Sequence, residues 1–313
     1  MSTLRQVLEV IDLLDSARVT GEDVAALLRA RGIRDARVTR VASERGATDF
    51  IAGSIPGEGN GPTLGIIGRL GGIGARPNQI GLVSDGDGAL VALAVALKLA
   101  DAAARGDGLP GRVRFATHIC PTAPVIPHDP VPFMDAPVPM DVMNAHEVHP
   151  EMQAILAVDT TRGNRIINHR GFAISPTVKD GYILRVSEDL LNLMTWTTGA
   201  PPAVLPLTTQ DITPYGNGVY HVNSILQPAT ATTAPVVGVA LTSEAVVPGS
   251  ASGATQINDC EQAARFCVEV AKAFTRGQCR FYDPDEYARL LARYGSMAHL
   301  RRMGAALTED DAP

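Results

Sequence analysis

The chain has 313 residues, 45% of them hydrophobic and 19% charged, with a formal net charge of −6; this is ordinary for a folded protein of one large or two smaller domains. No Lys/Arg cluster interleaves with aromatic residues, so nucleic acid is not an expected partner. The longest apolar run, Ala89–Leu97, is about half of the roughly 18 residues that mark a membrane span.

The amino terminus has acidic residues inside its apolar stripe and no small-residue cleavage site, so it does not read as a signal peptide, and a cytoplasmic location is expected. The four cysteines, Cys120, Cys260, Cys267 and Cys279, form no CxxC pair. Neither a disulfide framework nor a zinc knuckle is indicated.

In chain order, Leu4, Val7, Leu8, Ile11 and Leu14 recur at helical spacing, and Thr20-Gly-Glu-Asp23 opens a second helix that ends near Gly32. These helices predict an amino-terminal cap over residues 1–35. Ala36–Ala42 and Asp49–Ile55 follow as strands, and Pro56 to Pro62 breaks the pattern before a buried strand over Pro62–Leu70. Beyond it, Gly81-Leu-Val-Ser-Asp-Gly-Asp-Gly88 leads into an apolar helix predicted from Ala89 to about Ala104, and Arg112–Ile119 is the next buried strand. Strand, helix, strand implies a right-handed parallel crossover.

Cys120 to Pro150 is rich in proline, cannot be regular throughout, and carries His128, His146, Glu147 and His149. A loop of that length is functional or disordered. Ala154–Val158 is a further buried strand that ends on Asp159-Thr-Thr-Arg162. Phe172–Val186 reads as a hairpin around Lys179-Asp-Gly181, and Glu188–Trp196 as a helix. Val204–Thr208 and Val236–Leu241 are predicted strands, separated by the polar, Gly-rich segment from Gln210 to Ser224. Asn258 or Asp259 is the expected cap of a helix, and Asp283-Pro-Asp-Glu286 opens the last one. The main domain is expected over residues 36–306, with a disordered tail over 307–313.

The chemistry-bearing residues gather at predicted strand ends. Asp85 and Asp87 precede the long helix, His118 and Cys120 close the next strand, and Asp159 closes the one after. Parallel strands bring such ends to one edge of the sheet, where α/β proteins bind ligands. Asp85 and Asp87 suit helix capping, cation binding or acid/base work. Asp85, His118 and Asp159 together make a mixed imidazole and carboxylate set of the kind that holds zinc or manganese. Cys120 beside His118 is a candidate nucleophile. Arg69, Arg162, His221 and Asn223 are candidate substrate-binding residues.

The runs THICPTAPVIPHDPVPFM, DTTRGNRIINHRGFAISPTVKDGYILRVSEDLL and TTQDITPYGNGVYHVNSILQPATAT resemble the bacterial domain-of-unknown-function family 1177 over nearly the whole chain. More distantly, three features in order resemble the co-catalytic zinc aminopeptidases and their deacylase relatives. They are Gly81-Leu-Val-Ser-Asp85 before an Ala/Leu-rich helix, Phe115-Ala-Thr-His-Ile-Cys120, and Ala157-Val-Asp159-Thr-Thr. That resemblance implies a three-layer α/β sandwich with a mixed, mainly parallel sheet, a homo-oligomer, and a metal-bridging Asp at Asp85 with a second ligand at Asp159. Where those peptidases have His-x-Asp, this chain has Arg69-Leu-Gly71; where they have Glu-Glu it has Ile119-Cys120; where the last histidine stands it has Gly249-Ser-Ala-Ser252.

The expected activity is metal-dependent hydrolysis of a C–N bond, peptide or cyclic amide, in a small molecule or short peptide. Asp85, His118 and Asp159 would hold the divalent metal, zinc or else manganese, and Asp87 would be the general base. The alternatives are a binding or regulatory protein that reuses the cleft, and a Cys120/His118 amidohydrolase.

Overall fold

The computed structural model describes residues 2–74, 81–127, 132–161, 163–221, 224–245 and 253–304. Helix α1 (Leu4–Leu14) buries Val7, Val10 and Leu14. Helix α2 (Gly21–Ala30) begins at a reciprocal capping box: Asp23 N–H donates to the Thr20 hydroxyl, and Thr20 N–H donates to the Asp23 carboxylate. Strands β1 (Arg37–Ser43), β2 (Gly46–Ile55) and β3 (Gly61–Gly68) follow, then a 3₁₀ turn over Ser84–Gly86, helix α3 (Asp87–Ala103) and β4 (Gly111–Ile119).

A short ribbon of β5 (Val125–Ile126) and β6 (Phe133–Met134) leads to α4 (Met140–Glu147) and β7 (Ala154–Thr160). Then come β8 (Gly171–Ile174), β9 (Val178–Lys179), β10 (Tyr182–Ile183), α5 (Glu188–Thr198), β11 (Val236–Thr242), α6 (Ile257–Thr275) and α7 (Pro284–Tyr294).

The main sheet runs β1-β2-β4-β3-β7-β11-β9-β10, with β8 also paired to β11. Its centre, β4-β3-β7-β11, is parallel, and the flanking strands β2, β8 and β9 run antiparallel to it. This is the expected α/β architecture with a mixed, mainly parallel sheet. The central strands have continuous apolar sequences because both faces are covered. Ile66, Leu156, Val158, Val237 and Leu241 enter one core with α1, α2, α3 and α6. Ile67, Ile155, Ala157, Val236 and Ala240 enter a second core with Ile212, Ile225, Leu226 and Ala229. The second cover is built of irregular segments and the 3₁₀ turns Thr209–Ile212 and Gln227–Thr230. The amino-terminal helices share the first core, so the expected cap is packed into the main domain.

Several local expectations are corrected. The proline-rich stretch contains a regular helix, α4, which starts after Pro139. Val204 makes one bridge to Ile174 and no strand follows it. Gln256, not Asn258 or Asp259, occupies the cap position of α6, and Asp259 sits in its first turn. Leu226, Val236, Val237, Val239, Ala240 and Leu241 are all fully buried in the chain's own core. Asp283 caps α7 as expected, accepting from Asp285 and Glu286 N–H. No helix among the described residues is long and apolar enough to cross a membrane. The tail over 307–313 lies outside the described residues.

One close approach sets where α3 begins. A Cβ on Gly88 would collide with the carbonyl oxygen of Arg69 and lie 2.7 Å from that of Val158, and a Cβ on Gly68 would meet the Gly88 backbone. Only a residue without a side chain lets the first turn of α3 rest on the ends of β3 and β7, which brings the preceding turn over the sheet edge. Gly88→Ala should therefore destabilise the protein by about 1–3 kcal/mol through overpacking. This is opposite in sign to the gain of roughly 1 kcal/mol that Ala gives at an unobstructed helix position. A urea titration of the variant measures it.

Candidate functional site

The ends of β3 and β4 are locked to α4 by a buried charge cluster. Arg69 follows β3, and its N–H continues the ladder to the Val158 carbonyl at 2.7 Å. Its guanidinium, 1% exposed, donates to Glu147 Oε2 at 2.5 Å, and its other terminal nitrogen lies against the Met140 sulfur. His118 on β4 meets Glu147 Oε1 through Nδ1 at 2.5 Å and donates from Nε2 to the Leu70 carbonyl at 2.9 Å. Burial alone would push the Glu147 carboxyl up. Arg69 and then His118 overcome this and hold it below its ordinary value.

Beside this cluster stand two further buried carboxyl groups, Asp85 and Asp159. Asp85 lies in the 3₁₀ turn before α3, and its Oδ2 accepts from Gly71 N–H at 2.8 Å and Gly72 N–H at 3.1 Å. It thus clamps the segment after β3 to the turn. Asp159, near the end of β7, accepts from its neighbour Thr160 N–H at 2.7 Å and from the Ser224 hydroxyl at 2.8 Å. The Thr160 hydroxyl donates to the Ser84 carbonyl at 2.6 Å, which ties β7 to the turn that carries Asp85. Burial, and next the negative charge of Asp85, push the Asp159 carboxyl up to about 7.

Both carboxyl groups line a cavity of about 1050 Å³ at the carboxyl edge of the parallel strands. Its apolar wall includes Met134, Val138, Met140 and Met143; Arg69, His221, Ser224 and Gln227 also face it. His221 stacks on Tyr215 with ring centroids 4.1 Å apart and planes 15° apart. Burial, and then Asp159, push the Tyr215 phenol up, so it stays a neutral hydrogen-bonding group.

The expected residues divide accordingly. Asp85, Asp159, Arg69 and His221 share the cavity. His118 is withheld from a cation, because both ring nitrogens are taken by Glu147 and Leu70. Asp87 is fully buried in the first turn of α3 and is not among the residues lining the cavity, which removes it as a general base there. Cys120 is 2% exposed, packed with Val83, Ala123 and Met134, and burial raises its thiol above its ordinary value; an activated nucleophile needs the reverse.

His146 stacks on Phe50, and His149 accepts from Glu151 N–H; neither lines the cavity. Arg162, Asn223, His128 and Gly249 to Ser252 lie outside the described residues. Among the described residues, no group of three His, Cys, Asp or Glu side chains is placed to hold a metal ion.

Asn144 escaped the sequence reading, which noted Glu147 in the proline-rich stretch but gave it no place in the site. A signal was present: Met140, Met143, Asn144 and Glu147 are spaced as one helical face, directly after a proline. Two of the four are polar, so a search for apolar periodicity passes over them.

Two consequences follow for stability. Glu147→Gln leaves the Arg69 guanidinium buried without its counter-ion and should cost about 3–5 kcal/mol. The lowered Glu147 value also means that its contribution is present above the ordinary carboxylate range and is lost as pH falls through the folded-state value. Asp159 has the opposite sign. Its folded value of about 7 lies above the ordinary 3.8, so ionisation opposes folding, with the full cost felt above pH 7 and relief as pH falls towards 4. In metal-free buffer, Asp159→Asn should therefore stabilise the fold at pH 8, on the order of 2–4 kcal/mol, and have little effect near pH 4. Thermal melts at both pH values test both variants.

Similarity to known proteins agrees with the architecture. The chain resembles the structure titled "Bottromycin maturation enzyme BotP in complex with Mn" with a TM-score of 0.50 at 14% identity, over 86% of this chain and 71% of that one. A cytosol aminopeptidase from Coxiella burnetii scores 0.49 at 15% identity, over 87% and 68% of the two chains. A Zn-dependent exopeptidase from Parabacteroides distasonis scores 0.47 at 11% identity, over 87% and 97%. At these identities the likeness is one of fold. No curated protein matches the sequence. Residues 39–304 match the family described as "Protein of unknown function (DUF1177)", and the chain belongs to that family.

Proposed function

We propose that the protein is a hydrolase of a C–N bond in a small amide or short peptide, assisted by one divalent cation held by Asp85 and Asp159. The observation that carries this is the placing of two buried carboxyl groups in one cavity, close enough for the charge of Asp85 to act on Asp159. Two buried carboxyl groups face the same space and raise one of them to about 7, while the nearby guanidinium of Arg69 is committed to Glu147. A bound divalent cation would offset the repulsion between the two carboxylates.

The donor set was tested against the metal that the fold implies. A zinc centre is normally closed by nitrogen or sulfur ligands, and here His118 is engaged elsewhere. Two carboxylates with water completing the shell suit a hard cation, so the chemistry supports manganese or magnesium over zinc. Bound there, such a cation would polarise the scissile carbonyl and acidify water at neutral pH.

The chain's own residues do the rest. Gly71 and Gly72 N–H groups hold the Asp85 carboxylate in place, and Asp159 gives up its proton when a cation arrives. The apolar wall of Met134, Val138 and Met143 seats the hydrocarbon part of the substrate. A second reading, ligand binding without turnover, draws support from the engagement of His118.

Metal analysis of protein purified without chelator should find about one Mn²⁺ or Mg²⁺ per chain. Asp159→Asn, which keeps the shape of the side chain, should lower that affinity by ~100-fold or more, since even residues that merely support a ligand cost 10–100-fold. Circular dichroism should be unchanged. A wild-type protein that takes up no divalent cation at millimolar concentration would refute the proposal. Retained metal without turnover on peptide and amide substrates would leave the binding reading.

A further inference from the structure

Four side chains that line the cavity carry buried polar atoms with no hydrogen-bond partner. These are both ring nitrogens of His221, Oδ1 of Asn144, Oε1 of Gln227 and Nε of Arg301. Buried polar groups in native proteins are nearly always paired, so a cluster of exceptions around one cavity calls for an explanation. The two amide oxygens are fixed as acceptors by what their nitrogens do. Asn144 Nδ2 donates to the Gln227 carbonyl at 3.2 Å and to the Thr230 hydroxyl at 3.1 Å. Gln227 Nε2 donates to the Thr213 carbonyl at 2.8 Å. Turning either amide over would break these bonds, so each presents an oxygen that only an N–H or O–H can satisfy.

His221 is held differently. Its ring plane is set by the stack on Tyr215, and neither nitrogen contributes a bond that would hold it there. One ring nitrogen of a neutral imidazole donates and the other accepts, so the ring can meet either end of an amide.

We infer that Asn144, Gln227 and His221 form a recognition subsite for a small molecule bearing amide groups. The amide N–H groups of the ligand pair with the Asn144 and Gln227 oxygens, and an amide carbonyl accepts from His221. Its hydrocarbon part lies on Met134, Val138 and Met143. This deepens the proposed hydrolase and rests on it for the claim that the amide is a substrate; the subsite itself rests on the unpaired atoms and needs no metal.

The test uses the full chain and the variant His221→Phe, which keeps an aromatic ring on Tyr215 and removes both nitrogens. The probe is N-acetyl-L-methioninamide, titrated by calorimetry in chelator, where metal-assisted turnover cannot consume it. The wild type should bind the probe, and should bind N-acetyl-L-methionine methyl ester at least about fivefold more weakly, because the ester lacks the terminal N–H donors. His221→Phe should bind the amide at least about tenfold more weakly. Without ligand, that variant should melt at the wild-type temperature or slightly above it, since an unpaired polar ring has been replaced by an apolar one.

A fall of several degrees in that melting temperature would show the imidazole to be satisfied within the protein or by ordered water, and would overturn the inference. Equal binding of the amide by wild type and variant, or no binding by either, would overturn it as well. The metal proposal fails separately, through absence of cation uptake, and leaves this pattern intact.

Discussion

The buried contact among Arg69, Glu147 and His118 holds the functional edge of the sheet in one arrangement. It joins residues from β3, β4 and α4, more than 70 positions apart between Arg69 and Glu147, with every partner almost completely excluded from water. A charge cluster of this kind contributes little net stability over an apolar substitute, but loss of any one member is costly. Its effect is therefore specification. It fixes the position of α4, and with it the apolar wall and Asn144, relative to the carboxyl pair. It also commits the Arg69 guanidinium and the His118 imidazole to Glu147.

Two features set the cavity apart. Two buried carboxyl groups share it, and several amide and imidazole atoms at its wall lack hydrogen-bond partners. Elsewhere among the described residues, strand ladders, capping boxes at Thr20 and Thr208, and side-chain bonds at Asp35, Ser175 and Ser187 meet the local needs of the backbone, and the unpaired atoms of Gln6, Thr255 and Arg265 are scattered. Departures from such consistency gather at sites that act on other molecules. The two features differ in chemistry, one acidic and one neutral, and they share a single space of about 1050 Å³.

The architecture was legible in the sequence where periodicity and burial point the same way. Pro62–Leu70, Arg112–Ile119 and Ala154–Val158 are rich in apolar residues because they lie at the centre of a sheet covered on both sides, and they stand within a few residues of β3, β4 and β7. Asp85 and Asp159 could be placed at one edge from strand order alone, because parallel strands share a direction.

The fate of His118 could not be foreseen in the same way. Its partner Glu147 lies 29 positions away in a segment whose prolines conceal a helix, and nothing local distinguishes a histidine held by a carboxylate from one that awaits a cation. Val204–Thr208 misled for a related reason. A short apolar run signals burial, but there only Leu205 enters the second core, without strand pairing, and Val204 is exposed.

The two covers of the sheet are made in different ways. On one side, long helices bury side chains against one another, so a change at one position is felt by many neighbours. On the other, the wall over the cavity is carried by 3₁₀ turns fastened through single side-chain-to-backbone bonds, such as Gln227 to Thr213 and Asn144 to Gln227. Residues in such a wall can be exchanged without disturbing the ladders beneath them. The shape and polarity of the cavity wall can thus vary while the sheet, its glycine crossing and its charge cluster stay as they are.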